Sequence, residues 1–142
     1  MNPANPDFEK AVRENFVEQR VMSLIGAELS TVAPGVVEIS LPFRPDLTQQ
    51  DGFLHAGVIT TIADSAAGYA AYTMMPAGSR VLSIEFKVNL MRPARGETFV
   101  ARAEVIKSGR TLSVVRADVF AISADGEKEM VATMQGTMMC LR

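Results

Sequence analysis

The chain begins with hydrophobic residues at a helical spacing. Phe8, Val12 and Phe16 recur every four residues, which predicts a first helix over about residues 7 to 20. The residues between them are mostly charged or polar, so this helix has a single apolar stripe. We expect the stripe to pack against the remainder of the protein.

A run of small and apolar residues predicts a long central helix over about residues 56 to 75. Pro76 and Gly78, directly after this run, are residue types that end helices. A helix with alanine and glycine on most of its faces is expected to be buried. Asp64 lies in the middle of this helix. A buried carboxylate has to be hydrogen-bonded, be neutralised or take part in the chemistry of the protein.

Elsewhere apolar and polar residues alternate, which predicts β-strands. The clearest case is the strand that follows the central helix, where every second residue is apolar. The predicted strands cover about residues 26–33, 36–42, 81–90, 97–107, 111–122 and 128–139. Together the elements predict one α+β domain over residues 1–142, with a long helix packed against an antiparallel sheet of five or six strands.

Composition narrows the class of protein. The chain has 142 residues, of which 48% are hydrophobic and 21% charged, as in ordinary globular proteins. A net charge of −2 gives no general attraction to nucleic acid or to an anionic membrane. The first ten residues lack the apolar segment of a signal peptide, and every long apolar run is interrupted by polar residues. We therefore expect a cytoplasmic protein with no membrane or nucleic-acid partner.

Asp64 has a structural and a functional interpretation. As a structural residue it would be hydrogen-bonded to Thr60, one turn earlier, or to a backbone amide. The functional interpretation rests on Thr61 and Gly68, which share its helical face and leave a groove beside the carboxylate. A water molecule or a narrow substrate in that groove would meet an ionised carboxylate able to act as a base.

The start of the central helix offers a second chemical feature. His55 is the only histidine, so no metal-ligand cluster is expected; its favoured role is a backbone hydrogen bond at the loop-to-helix junction, and the alternative is a catalytic proton shuttle. Ala56 and Gly57 follow it with small side chains, which lets a substrate approach the free N–H groups of the first turn. These donors and the positive end of the helix dipole suit a developing oxyanion.

Helix geometry separates these two features. Asp64 follows Ala56 by eight positions along the helix, a rise of about 12 Å at ~1.5 Å per residue. A reacting carbonyl must lie within roughly 3–3.5 Å of its attacking group while its oxygen meets the donors. If both features are catalytic, two subunits must each supply one of them to two equivalent sites in a dimer.

Basic residues cluster in two predicted turns. Charged turns are commonly solvated, but two of them could also hold an anionic nucleotide. The candidate binding residues are Arg92, Arg95, Lys107, Ser108, Gly109 and Arg110.

The segment Leu54-His55-Ala56-Gly57, followed by Ala63-Asp64-Ser65-Ala66, resembles the signature of the PaaI-like hotdog-fold acyl-CoA thioesterases. In that family a loop Asn precedes His-Gly-Gly, and an Asp follows nine residues after the His. His55 and Asp64 keep this spacing. The strand after the helix and the turn that follows it are also similar, so the resemblance covers about residues 20 to 140.

The resemblance implies hydrolysis of a small acyl- or aryl-acyl-CoA without a metal or other cofactor, coenzyme A being part of the substrate. It assigns the base or nucleophile to Asp64, the oxyanion hole to the Ala56 amide with Gly57 beside it, and an assisting hydroxyl to Ser83. Gln49 stands where the family has its loop Asn, and Ala56 replaces the first Gly.

Ser83 conflicts with the predicted strand pattern. Strict alternation places it with Glu85 on the polar face, so only a bulge or a site at a dimer interface would bring it to Asp64.

The family is usually a tetramer of two dimers, so a homo-oligomer is expected. The residues leave two alternative functions open. An acyl-thioester hydratase or dehydratase would pair His55 with a carboxylate, and a non-catalytic protein would only bind acyl-CoA. Release of free thiol separates hydrolysis from both.

Overall fold

A computed structural model describes residues 1–142, which form three α-helices, six β-strands and one short 3-10 helix. The helices are α1 (Phe8–Glu18), α2 (Arg20–Ile25) and α3 (Ala56–Tyr72), and the 3-10 turn is Pro45–Leu47. The strands are β1 (Glu28–Ala33), β2 (Val36–Pro42), β3 (Arg80–Leu90), β4 (Thr98–Ser108), β5 (Leu112–Ile122) and β6 (Lys128–Leu141). None of the helices combines the length and the apolarity needed to cross a bilayer.

All six strands pair antiparallel in one sheet, in the order β1-β2-β4-β5-β6-β3. Helix α3 lies against one face of this sheet and packs on five of its strands. Its alanines and the inward side chains of β2, β4, β5 and β6 form a single core. The predicted architecture of one long helix on an antiparallel sheet is therefore confirmed.

The N-terminal helix is shorter than predicted. Helix α1 carries the expected stripe, with Val12 buried and Phe16 packed against the core, but it ends at Glu18. Gln19 is extended (φ −78°, ψ 96°), and the short helix α2 follows it. The sequence analysis missed α2, which has too few turns for a period to be visible.

The end of α3 also differs from the prediction. The helix stops at Tyr72 rather than near residue 75, well before the proline. Thr73 sets this boundary, because its hydroxyl donates to the Ala70 carbonyl (2.7 Å) and accepts from the Gly35 amide (2.8 Å). The helix end is thus tied to the turn between β1 and β2 by a contact that is distant in sequence.

Strand β3 contains a bulge that changes which side chains face the core. Its pairing with β6 shifts by one residue between Ser83 and Glu85. Ser83 pairs with Met138 and Val88 pairs with Met134, and both methionines are buried. Ser83 and Val88 therefore share the inner face, although strict alternation places them on opposite faces. The bulge is one of the two ways by which Ser83 was expected to reach Asp64, and it turns Ser83 toward the face of the sheet that α3 covers.

Gly136 on β6 makes room for the bulge. A Cβ atom at this position would lie 2.9 Å from the Glu85 carbonyl oxygen and 3.0 Å from Phe86 Cβ. Both distances are too short for any other residue without a shift of the backbone. A glycine opposite the bulge is therefore a steric requirement of the β3–β6 pairing.

One edge of the sheet is unpaired and apolar. Strand β3 pairs with β6 on one side only, and its hydrophobic side chains are half exposed. The exposed fractions are 53% for Leu82, 51% for Ile84, 42% for Phe86 and 54% for Leu90. Large apolar side chains on an open strand edge are typical of a surface that pairs with another chain.

We predict that Gly136→Ala destabilises the protein by about 1–3 kcal/mol, because the added methyl group overpacks the bulge. Urea denaturation measures the change. Gln135→Ala, at an exposed neighbouring position on the opposite face of β6, is the control and should stay within about 0.5 kcal/mol of the parent. Equal stability of the two variants would contradict the steric role of Gly136.

Candidate active site

The first turn of α3 is capped by the histidine that precedes it. The Gly57 amide donates to His55 Nδ1 (2.8 Å), and the amides of Val58 and Ile59 donate to the His55 carbonyl (3.0 and 3.1 Å). His55 Nδ1 is thus an acceptor, so the neutral ring carries its proton on Nε2. Only the Ala56 amide among these first donors has no acceptor within the chain.

Gly57 allows the His55 ring to lie over the helix start. A Cβ atom on residue 57 would be 3.0 Å from His55 Nδ1 and 3.2 Å from Cε1. The hydrogen bond required by the favoured interpretation of His55 is present. It also engages the Gly57 amide, so of the two predicted oxyanion donors only Ala56 is free.

Ala56 borders a mostly apolar cavity of about 430 Å³. Phe53, Leu54 and Ile59 line it from the loop and from α3, while further apolar side chains come from the end of β3 and from β6. Gln49 and Arg92 are its polar lining residues. An oxyanion bound at Ala56 would therefore lie at the wall of a largely apolar cavity.

The Gln49 side chain is engaged by its own loop. Its Oε1 accepts hydrogen bonds from the amides of Asp51 (2.6 Å) and Phe53 (3.1 Å). The Gln49 backbone amide also donates to the Phe53 carbonyl (2.9 Å). Gln49 therefore shapes the loop that leads to α3, and its side-chain NH₂ is the group left to face the cavity.

Asp64 is held by the strand that carries the bulge. Ser83 Oγ donates to Asp64 Oδ1 at 2.5 Å and lies 3.2 Å from Met138 Sδ. Thr60, the structural partner expected from the sequence, instead donates to the Ala56 carbonyl (2.8 Å), and Thr61 donates to the Gly57 carbonyl (2.8 Å). The expectation of a Thr60 partner is thus wrong, and the structure brings Ser83 to Asp64.

Asp64 and Ser83 line a second cavity, of about 490 Å³, which does not include Ala56. The two cavities open on different parts of the chain, as the helical separation of Ala56 and Asp64 requires. Gly57, Thr61 and Gly68 share with Asp64 the face of α3 that the chain leaves uncovered. This face adjoins the open edge of β3, to which it is joined by the Asp64–Ser83 hydrogen bond.

The second cavity also contains polar residues that the sequence analysis missed. Asn15 reaches it from α1 and Gln19 from the junction between α1 and α2, while Tyr69 lies one turn after Ser65 on α3. No local pattern reveals these residues, since a long-range contact between α1 and α3 brings them together.

The two basic turns lie far apart within one chain. Arg92 and Arg95 precede β4, whereas residues 107–110 lie at its other end, where Lys107 and Ser108 are the last residues of the strand, roughly 33 Å away at ~3.3 Å per residue. Arg92 is paired with Glu129 (2.6 Å), and the Arg95 guanidinium lies 5.2 Å from the centre of the Phe53 ring. One nucleotide could contact both turns only if two chains contributed one each.

Comparison with known proteins identifies the family. Residues 51–126 match the model of the thioesterase superfamily. The chain belongs to this superfamily. It is 30% identical over 102 residues to human acyl-coenzyme A thioesterase 13, and the match covers 71% of each protein.

Solved structures agree with this membership. A thioesterase family protein from Silicibacter pomeroyi is 49% identical, with a TM-score of 0.92, over 94% of this chain and 98% of that one. The Escherichia coli PaaI protein is 15% identical, with a TM-score of 0.85, over 98% and 96%, and it shows the shared fold alone. The predicted hotdog fold is confirmed, and this member of the thioesterase superfamily is a thioester hydrolase.

We predict that His55→Ala lowers the free energy of unfolding by about 1 kcal/mol, because the helix loses its N-terminal cap. Thermal or urea unfolding measures the change. His55→Asn keeps a side-chain acceptor at the cap and should recover most of the lost stability. If alanine and asparagine destabilise the protein equally, the cap is not what His55 contributes.

Proposed function

We propose that this superfamily member hydrolyses small acyl- or aryl-acyl-CoA thioesters in a site shared by two chains. The observation that carries the proposal is the division of one catalytic apparatus between two cavities. The Ala56 N–H is free beside the first, and the Asp64–Ser83 pair lines the second. Each cavity therefore holds the catalytic group that the other cavity lacks.

The open edge of β3 supports pairing as the way to join them. A two-fold axis that crosses this edge at right angles to the strand would cover its apolar side chains and bring two α3 helices face to face, antiparallel. The small residues Gly57, Thr61 and Gly68 would let the helices approach closely. Ala56 of one chain would then lie opposite Asp64 of the partner subunit. Two such dimers form the proposed homotetramer.

In the proposed reaction, Asp64 takes a proton from water as the water oxygen attacks the thioester carbon. The Ala56 N–H and the positive end of α3 stabilise the resulting oxyanion. The carbon–sulfur bond then breaks, and Asp64 returns the proton to the leaving thiolate. Ser83 holds Asp64 Oδ1, which leaves Oδ2 for the water.

The remaining candidates take supporting roles in this proposal. Gln49 orders the loop beside the carbonyl through its two accepted hydrogen bonds. Arg92 and Arg95 of one chain, with the turn of residues 107–110 of the partner, hold the CoA phosphates. Because a carboxylate, a hydroxyl and a backbone amide supply the chemistry, the proposed reaction uses neither metal nor cofactor.

The hydrogen bond at His55 argues against a hydratase. A histidine that acts as the base of a hydratase needs a free imidazole lone pair, whereas the Nδ1 lone pair of His55 accepts from Gly57 and Nε2 carries the proton. A panel of acyl-CoAs assayed for free thiol tests the choice directly. Release of CoA and the free acid is expected, whereas acyl-CoA that binds or is hydrated without thiol release would overturn the proposal.

We predict that Asp64→Asn lowers kcat by ~10²–10⁴-fold, because the amide keeps the size of the side chain but is not a base. Thiol release on the best substrate measures kcat, and circular dichroism checks the fold. Asp125→Asn, in the turn before β6, is the control and should keep full activity. Wild-type turnover of the Asp64 variant would leave Asp64 with a structural role only.

A proline at residue 56 removes the free amide with little change to the helix. Proline is favoured at the first helical position, and His55 already has the extended backbone (φ −61°, ψ 137°) that a residue before proline adopts. We predict that Ala56→Pro lowers kcat by ~10²–10³-fold through loss of one oxyanion donor. Ala56→Gly, which keeps the amide, should remain close to wild type.

Mixing the Ala56→Pro and Asp64→Asn chains tests whether the site is shared. In a mixed dimer one site carries both defects and the other carries neither, so about half of the wild-type activity per dimer should return. Two affinity tags isolate the mixed species. Confirmed mixed dimers that stay as inactive as the parent variants would show that each chain uses its own Ala56 and Asp64.

A further inference from the structure

The cavity beside Asp64 extends to the first helix and becomes polar there. Beyond Asp64 and Ser83 its wall includes Asn15, Glu18 and Tyr69. The far end of this cavity is therefore built by α1, outside the sequence motif that carries the resemblance.

A chain of hydrogen bonds fixes this wall to the helix that carries Asp64. Ser65 Oγ donates to Gln19 Oε1 (2.8 Å), and Gln19 Nε2 donates to the Tyr69 hydroxyl (2.8 Å). Tyr69 in turn donates to Asn15 Oδ1 (3.0 Å). Burial raises the pKa of Tyr69, so its hydroxyl stays a neutral donor.

Two groups of the wall keep unused hydrogen-bonding capacity. The Asn15 side chain accepts from Tyr69 through Oδ1, which leaves its NH₂ group as a donor. The Glu18 side chain is exposed beside the cavity and makes no ion pair and no side-chain hydrogen bond, so its carboxylate oxygens remain available as acceptors. The far end of the cavity can therefore both donate to and accept from a bound polar group.

Charge indicates which cavity receives which part of the substrate. The nucleotide of CoA is strongly anionic, and the cavity beside Ala56 has Arg92 in its wall and Arg95 close by over Phe53. The cavity beside Asp64 contains two carboxylates, those of Asp64 and Glu18, and no basic side chain. This distribution of charge favours the arginines for the CoA portion and the cavity that α1 borders for the acyl group.

Resting on the function proposed above, we propose that α1 selects the acyl group, with Asn15 and Glu18 favouring a neutral hydroxyl at its far end and rejecting a carboxylate there. A hydroxyl would donate to Glu18 and accept from the Asn15 NH₂ group. A plain alkyl end would remove water from both groups without replacing those hydrogen bonds. A carboxylate there would meet the like charge of Glu18.

Three matched acyl-CoA series test the selection. Butanoyl-, hexanoyl- and octanoyl-CoA are each compared with their ω-hydroxy and ω-carboxy forms by thiol release. The ω-hydroxy form should have the highest kcat/KM at the length that fits best, by about tenfold over the unsubstituted form. The ω-carboxy form should be the poorest substrate at every length.

Glu18→Gln separates the charge from the shape of the wall. This variant should raise kcat/KM for the ω-carboxy substrates several-fold and reduce the preference for the ω-hydroxy ones. It should also raise kcat/KM for the unsubstituted series, because the alkyl end no longer removes water from a carboxylate. Glu14→Gln is the matched control, because Glu14 lies one turn earlier on α1 beside Lys10 (3.9 Å) and does not line the cavity. It should leave all three series unchanged.

Two different failures are distinguishable. Thiol release with an unsubstituted or ω-carboxy preference, or a ratio unaffected by Glu18→Gln, would overturn the role of α1 and leave the proposed hydrolysis intact. Absence of thiol release from every substrate would overturn the proposed function itself, and the inference with it.

Discussion

The hydrogen bond from Ser83 to Asp64 exists because one extra residue is inserted in strand β3. Without the bulge, Ser83 would face away from α3, and the carboxylate would lack this partner. The bulge in turn requires Gly136 on β6, since any larger residue would collide with the Glu85 carbonyl. The space left by Gly136 on β6 thus allows the bulge that places Ser83 of β3 beside Asp64 of α3.

A second constraint acts at the opposite end of the exposed helix face. A helix start has several free N–H groups, and here the preceding histidine engages them through its ring and its carbonyl. Ala56 alone keeps a free donor, which lies at the positive end of the helix dipole beside the apolar cavity. Gly57 is needed for the ring to reach this position, rather than as a donor itself.

Local patterns predicted much of this molecule from sequence. Apolar residues at every second position located the six strands, and helical patterns of apolar residues located α1 and α3. These patterns are visible because each of these elements buries one face. The spacing of His55 and Asp64 located both halves of the candidate site. What the sequence left undetermined depends on contacts between distant residues. Thr73 ends α3 by contacting a turn near residue 35, and the bulge in β3 depends on the space left by a glycine on β6.

The central helix is made of small residues for two separate reasons. On its inner side, alanines let the backbone lie close to the sheet, which buries the core. On its uncovered side, Gly57, Thr61 and Gly68 surround the carboxylate without filling the space beside it. The inner side needs small residues for stability in any packing of this kind. The outer side needs small residues only if another molecule packs closely against it. The half-exposed edge of β3 beside this side indicates that the molecule is a second chain. In the proposed dimer, the pairing that covers this edge also completes the active site. A single chain would bury the core but would hold only one half of each of the two active sites.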